Sequence, residues 1–201
     1  AVRAALASDL PAVVDADGLY HLAGAQGWLA RGAQTVLTPH PGEMARLLGR
    51  PVADPVRDAA DYARAHGCTV LLKGALTVIA APDGRVRITV SGCSALAKGG
   101  SGDVLAGVVG SLAAQGYDLF DALTVGAFLH GRAGERLRRA WRAALPAPGG
   151  DRQAVGLTSL SFISKEWMAY QTAACNALRT PAARRVRLCV RRREGKNRLP
   201  F

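Results

Sequence analysis

Short apolar runs alternate with segments of helical spacing along the first 150 residues, and that alternation restricts the chain to a small set of folds. Ala12-Val13-Val14 ends in Asp15, and Gln34 to Thr38 repeats the form with Thr-Val-Leu-Thr. From Gly42 the spacing becomes helical, placing Met44, Leu47 and Leu48 on one face before Gly49 and Pro51 stop the helix. Pro55 to His66 reads as a second helix with Gly67 just past its end, and Thr69 to Leu72 as a buried strand. Leu76 to Ala80 and Arg85 to Val90 flank the turn tripeptide Pro82-Asp83-Gly84, the pattern of a hairpin. Val104 to Gln115 is an apolar helix, and Phe120 to Trp141 a longer one with a charged end. Strands alternating with helices predict an α/β domain with a mostly parallel central sheet. In such sheets ligands sit outside the carboxyl ends of the strands. The residues of chemical interest fall there: Asp15 and Asp17, His40, Lys73 and the 99–103 loop.

The composition supports a packed core. Of 201 residues 49% are hydrophobic and 20% charged, a globular balance rather than a disordered one. No apolar run reaches the roughly 18 residues of a membrane span, and Ala1 to Leu10 lacks the pattern of a secretory signal, so no membrane partner is expected. Cys68, Cys93, Cys175 and Cys189 form no C-x-x-C pair and read as reduced thiols of a cytoplasmic protein. Residues 1–150 hold 15 Lys+Arg against 12 Asp+Glu, whereas residues 151–201 hold 11 against 3. The body, residues 1–158, is therefore an ordinary domain, and 159–201 a basic tail of weak periodicity. The tail lacks a recognition fold and interleaved aromatics, which disfavours nucleic acid as a partner.

Lys98-Gly99-Gly100-Ser101-Gly102-Asp103 carries the strongest chemical signal. Glycines let a backbone approach a ligand closely, and the helix that follows adds a partial positive charge, making an anion hole suited to phosphate. Asp103 at the helix start is placed to accept a proton from a hydroxyl. Alone, the segment reads equally well as a glycine turn with Asp as its N-cap. Thr38-Pro39-His40-Pro41-Gly42-Glu43 is a loop stiffened by two prolines, from which His40 and Glu43 project. Lys73 closes a strand, where it meets a phosphate as a point charge or snorkels to the surface. Asp15 and Asp17 read as orienters of water or Mg2+, or as buried caps. His130, in Leu129-His130-Gly131-Arg132-Ala133-Gly134, reads as helix packing.

In this order these segments resemble the ADP/ATP-dependent NAD(P)H-hydrate dehydratase family, a branch of the ribokinase-like superfamily. The resemblance implies a three-layer α/β/α fold, incomplete at its N-terminus, because the family domain begins about a hundred residues earlier. An incomplete sheet predicts an unpaired edge at the strand near residue 12 and poor solubility. The resemblance also implies a hydro-lyase of nicotinamide nucleotide repair. The added hydroxyl of hydrated NADH or NADPH is phosphorylated from ADP or ATP with Mg2+, and phosphate is then expelled. Asp103 is the catalytic base and touches the substrate, with Thr38, Pro39, His40, Pro41, Gly42 and Glu43 completing the substrate site. Lys73, Gly74, Ala75, Leu76 and Thr77 line the nucleotide site. Cys93, Ser94, Ala95, Leu96, Ala97, Lys98, Gly99, Gly100, Ser101 and Gly102 complete it. No protein-built metal site is implied. A homo-oligomer and a preceding epimerase domain are the partners the family suggests. The competing reading is a kinase of the same superfamily acting on a vitamin-precursor hydroxyl, which leaves a stable phosphoester.

Overall fold

The computed structural model describes residues 7–23, 34–144 and 186–189. Six strands form one sheet: β1 (Ala12–Val14), β2 (Thr35–Leu37), β3 (Thr69–Leu72), β4 (Thr77–Ala80), β5 (Val86–Thr89) and β6 (Arg187–Cys189). Their spatial order is β5-β4-β3-β2-β1-β6. β6, β1, β2 and β3 run parallel, while β4 and β5 return antiparallel as the expected hairpin. Among the described residues five α-helices cover the sheet: α1 (Asp17–Ala23), α2 (Pro41–Leu48), α3 (Pro55–His66), α4 (Ser101–Ala114) and α5 (Leu119–Ala144).

Strand alternation sorts the core into two layers. Ala12, Val14, Leu37, Val70 and Leu72 pack on one face with Leu19, Leu22, Met44, Ala59 and Tyr62 of α1, α2 and α3. Val13, Val36, Leu71 and Ile79 point the other way, to Leu105, Val109, Phe120 and Leu123 of α4 and α5. The central strands are therefore buried on both sides, the mark of parallel strands between helical layers. Gly49 and Gly67 end α2 and α3 in the left-handed region at φ 69° and 62°, where a side chain is disfavoured.

One expectation fails at the β1 edge. Ala12, Val13 and Val14 pair with Arg187, Leu188 and Cys189, so a stretch of the basic tail lies along the edge expected to be bare. Val186, just before β6, is 7% exposed and belongs to the α4–α5 layer of the core. The strand is only three residues long and sits among arginines, which hides its period from the sequence. The remainder of 159–201 lies outside the described residues, as do Cys175 and the arginine cluster 191–193.

The α2–α3 connection is held by one carboxylate. Arg50 reaches Asp58 through two nitrogens at 3.2 and 2.6 Å, and the Ala53 N–H donates to Asp58 Oδ2 at 2.9 Å. The Arg50 hydrogen bond and the Ala53 amide hold the Asp58 carboxyl down at about 2. A depressed folded-state pKa stabilises above the unfolded value, and that contribution is lost as pH falls through the folded value. Thermal midpoints are therefore expected to drop between about pH 4 and about pH 2 more steeply for the wild type than for Asp58→Asn. Equal slopes would contradict this account.

Candidate functional site

Three parallel strands deliver their following residues to one end of the sheet. β1 delivers Asp15, β2 the loop from Thr38 to Glu43, and β3 Lys73. Lys73 is tied there by its own N–H, which donates to the Pro39 carbonyl at 2.8 Å. Its ammonium lies 2.7 Å from Asp15 Oδ1 and 3.9 Å from Glu43 Oε2. The Asp15 side chain is 3% exposed, so this is an engaged internal pair and not a snorkelling lysine. Between Asp15 and Asp17, Ala16 takes φ 49°, a left-handed conformation costing about 1 kcal/mol or more in a residue with a Cβ. That turn lets β1 end and α1 begin within three residues.

α4 arrives at the same place with its N-terminus forward. Its N-cap is Gly100 at φ 90°, and no side chain caps it. Asp103 is therefore the third helical residue and not the cap, and it is exposed. A Cβ on Gly102 would lie 3.1 Å from Asp15 Oδ2 and 3.5 Å from Lys73 Nζ. The glycine loop thus touches the charged pair, and Lys73 faces the loop rather than the exposed β3–β4 turn of Gly74, Ala75 and Leu76. Thr77 opens β4 beyond that turn. Within the loop the Ser101 N–H is spent on the Lys98 carbonyl at 3.1 Å.

The proline-framed loop is organised by capping. His40 Nδ1 accepts from the Gly42 and Glu43 N–H groups at 3.0 and 3.3 Å, and Glu43 Oε2 accepts from the His40 N–H at 2.8 Å. This is a capping box with histidine in the place of Ser or Thr. An accepting Nδ1 puts the ring proton on Nε2, which faces Glu43 Oε1 at 3.4 Å. The ring stays 57% exposed, open to a ligand. Pro41 and Gly42 are exposed beside it, whereas Pro39 is buried. Thr38 is also buried, at 1%, with its hydroxyl on the Val14 carbonyl. Its place is that of a pin between β1 and β2, with the hydroxyl turned to the backbone.

Residues 93–99, just before α4, are a largely exposed stretch, with Cys93 and Leu96 half-buried and Ser94–Leu96 in a short 3-10 turn. One face of α5 grips this stretch. The Gly92 N–H donates to Glu135 Oε1 at 3.0 Å, and Ser91 Oγ donates to the Phe128 carbonyl at 3.4 Å. A Cβ on Gly131 would strike Ser91 Oγ and lie 2.6 Å from the Ser91 carbonyl carbon; one on Gly134 would lie 2.5 Å from Leu96 Cγ. The role of Gly131, Gly134 and Glu135 was not read from the sequence. The signal was present in two glycines three apart on a long helix, which mark a face of close approach. Gly131→Ala is expected to destabilise the fold by about 1–3 kcal/mol, because its obstacle is backbone, and to weaken nucleotide binding. Denaturant melts and a fluorescent-ADP titration check both, and an unchanged midpoint would refute the close packing.

Among the described residues no cluster of three or more His, Cys, Asp or Glu could hold a metal, and no helix is long and apolar enough to cross a membrane.

The family model for NAD(P)H-hydrate dehydratase matches residues 1–148. An ADP-dependent (S)-NAD(P)H-hydrate dehydratase of Neisseria meningitidis is 45% identical over 138 residues, 65% of this chain and 47% of the relative. A bifunctional NAD(P)H-hydrate repair enzyme of Moorella thermoacetica is 50% identical over 135 residues, 65% of this chain and 26% of the relative. The chain thus spans between a quarter and a half of the length of these relatives. Among solved structures, the ADP/ATP-dependent NAD(P)H-hydrate dehydratase of Bacillus subtilis, co-crystallised with ATP/Mg2+, superposes with a TM-score of 0.60 at 31% identity, covering 84% of this chain and 58% of that one. A ribokinase-like protein of Enterococcus faecalis shares the fold at 20% identity and a TM-score of 0.56. With the fold ribokinase-like and the family model matched over most of its length, this chain belongs to the NAD(P)H-hydrate dehydratase family.

Proposed function

We propose that the chain carries the ADP- or ATP-dependent dehydration of NAD(P)H hydrate, restoring NAD(P)H. The observation that supports it most is the uncapped N-terminus of α4, with Asp103 in its first turn and the Lys73 ammonium beside Gly102. The partial positive charge of the helix and the amides of its first turn favour a phosphoryl group there. Lys73 adds a full charge and Asp103 a base at the same point. Asp103 takes the proton of the substrate hydroxyl as its oxygen bonds to the terminal phosphorus of the nucleotide and the bond to the leaving phosphate oxygen breaks. Phosphate then leaves with the C–O electron pair while the neighbouring ring carbon gives up a proton, and the double bond returns. The exposed His40 Nε2–H, held by its capping box, is the donor on the substrate side. Residues 93–99 and the β3–β4 turn line the nucleotide.

Mg2+ fits as an ion shared with the nucleotide, since Asp15 and Glu43 are the only carboxylates beside Lys73 in its ion pairs and no larger protein cage exists among the described residues. When bound it neutralises phosphate charge. The Moorella relative is named bifunctional, which supports a companion domain; an epimerase in that role and a cytoplasmic homo-oligomer are part of the proposal.

The test is incubation of hydrated NADH with ADP or ATP and Mg2+, following the absorbance of reduced nicotinamide and free phosphate together. Both rise in step if the reading holds. A stable phosphoester with no absorbance recovery would point to the kinase instead.

A further inference from the structure

His130 lies inside the molecule on α5, 7% exposed, with Nε2 2.9 Å from the hydroxyl of Ser101, itself 6% exposed. Ser101 is the first residue of α4, next to Gly100 and two positions before Asp103. Burial pushes the imidazole down to about 4, and the Lys73 cation acts in the same direction. The ring is therefore neutral near pH 7 and keeps one nitrogen as a hydrogen-bond acceptor. A serine at a helix start readily turns its hydroxyl onto nearby backbone groups. Here that would place oxygen where an anion meets the first turn.

We infer that His130 is a positioning residue of the anion site: by holding the Ser101 hydroxyl it anchors the first turn of α4 and fixes the direction of Gly102 and Asp103. The same face of α5 sets the 91–96 stretch through Gly131, Gly134 and Glu135. One helix thereby sets both the phosphate loop and the stretch over the nucleotide. The phosphate part of this inference rests on the reading proposed above.

The test compares His130→Leu, His130→Gln, Ser101→Ala and the Leu/Ala double variant in the full chain. Hydrogen exchange of the 98–103 backbone is measured alongside that of β3, together with affinity for a fluorescent ADP. Gln places an amide near the position of Nε2, and Leu fills the space without polarity. Positioning predicts that Leu speeds exchange of 98–103, with β3 unchanged, and weakens ADP binding by about three- to tenfold, the worth of one hydrogen bond. Gln restores both, Ser101→Ala reproduces the loss, and the double variant is no worse than either single one. A packing role predicts the reverse order, with Leu tolerated and Gln harmful, and that order would overturn the inference. Loop exchange that follows the positioning pattern without ADP binding by any form would uphold the His130–Ser101 link and defeat the phosphate reading.

Discussion

Asp103→Asn is expected to lower the turnover of hydrated NADH by about 100- to 10,000-fold, the usual worth of a positioned general base. Asn keeps the size and exposed place of the side chain but cannot take a proton from the substrate hydroxyl. The loss belongs in kcat, because nothing in the substitution removes a nucleotide contact. Stability should fall by only about 0.3–1 kcal/mol, the value of an acidic group in the first turn of a helix. Steady-state kinetics with a parallel denaturant melt separates the two. Turnover within about tenfold of wild type would mean that the proton leaves by another route.

Lys73→Met is expected to act on stability first. It strands the Asp15 carboxylate, 3% exposed, by removing the ammonium that lies 2.7 Å from its Oδ1. Removing one partner of an internal pair costs about 3 kcal/mol, because the remaining charge stays desolvated. The reverse change, Asp15→Asn, should cost less, since Lys73 is 24% exposed and can turn to water. Lys73→Met combined with Asp15→Asn should recover much of the lost stability, because no buried charge is then left alone. ADP affinity should not recover with it, since the phosphate-facing ammonium is still missing. Recovery of both in the double variant would make Lys73 a structural residue only.

The sequence made the layers legible because the runs of β1 to β3 were apolar on both faces and α2 and α3 were punctuated by Gly and Pro. Gly49, Gly67 and the Pro82-Asp83-Gly84 turn end their elements where the pattern placed them. The start of α4 lay three residues earlier than its apolar spacing suggested, since Ser101 and Gly102 give no helical signal before Val104. Asp15 and Lys73 were visible as residues at strand ends, but their pairing depends on β1 and β3 flanking β2, which no local pattern encodes. The cap made by His40 was missed because histidine is not among the usual N-cap residues. Thr38 looked available from its motif and proved to be covered. His130 was read as packing because a lone histidine in an apolar helix gives no hint of which hydroxyl it will meet.

The pairing of β1 with β6 joins the first described strand of the sheet to the last. β1 is made well before its outer neighbour, because nearly the whole sheet lies between them in sequence. Local elements such as the β4–β5 hairpin and the α4–α5 pair can form before this contact does. It carries the largest loop-closure entropy in the sheet. Topology of this kind slows folding and prolongs the exposure of a nascent strand. The native sheet should therefore close late relative to the synthesis of β1, which waits on a slow search until Arg187, Leu188 and Cys189 are available.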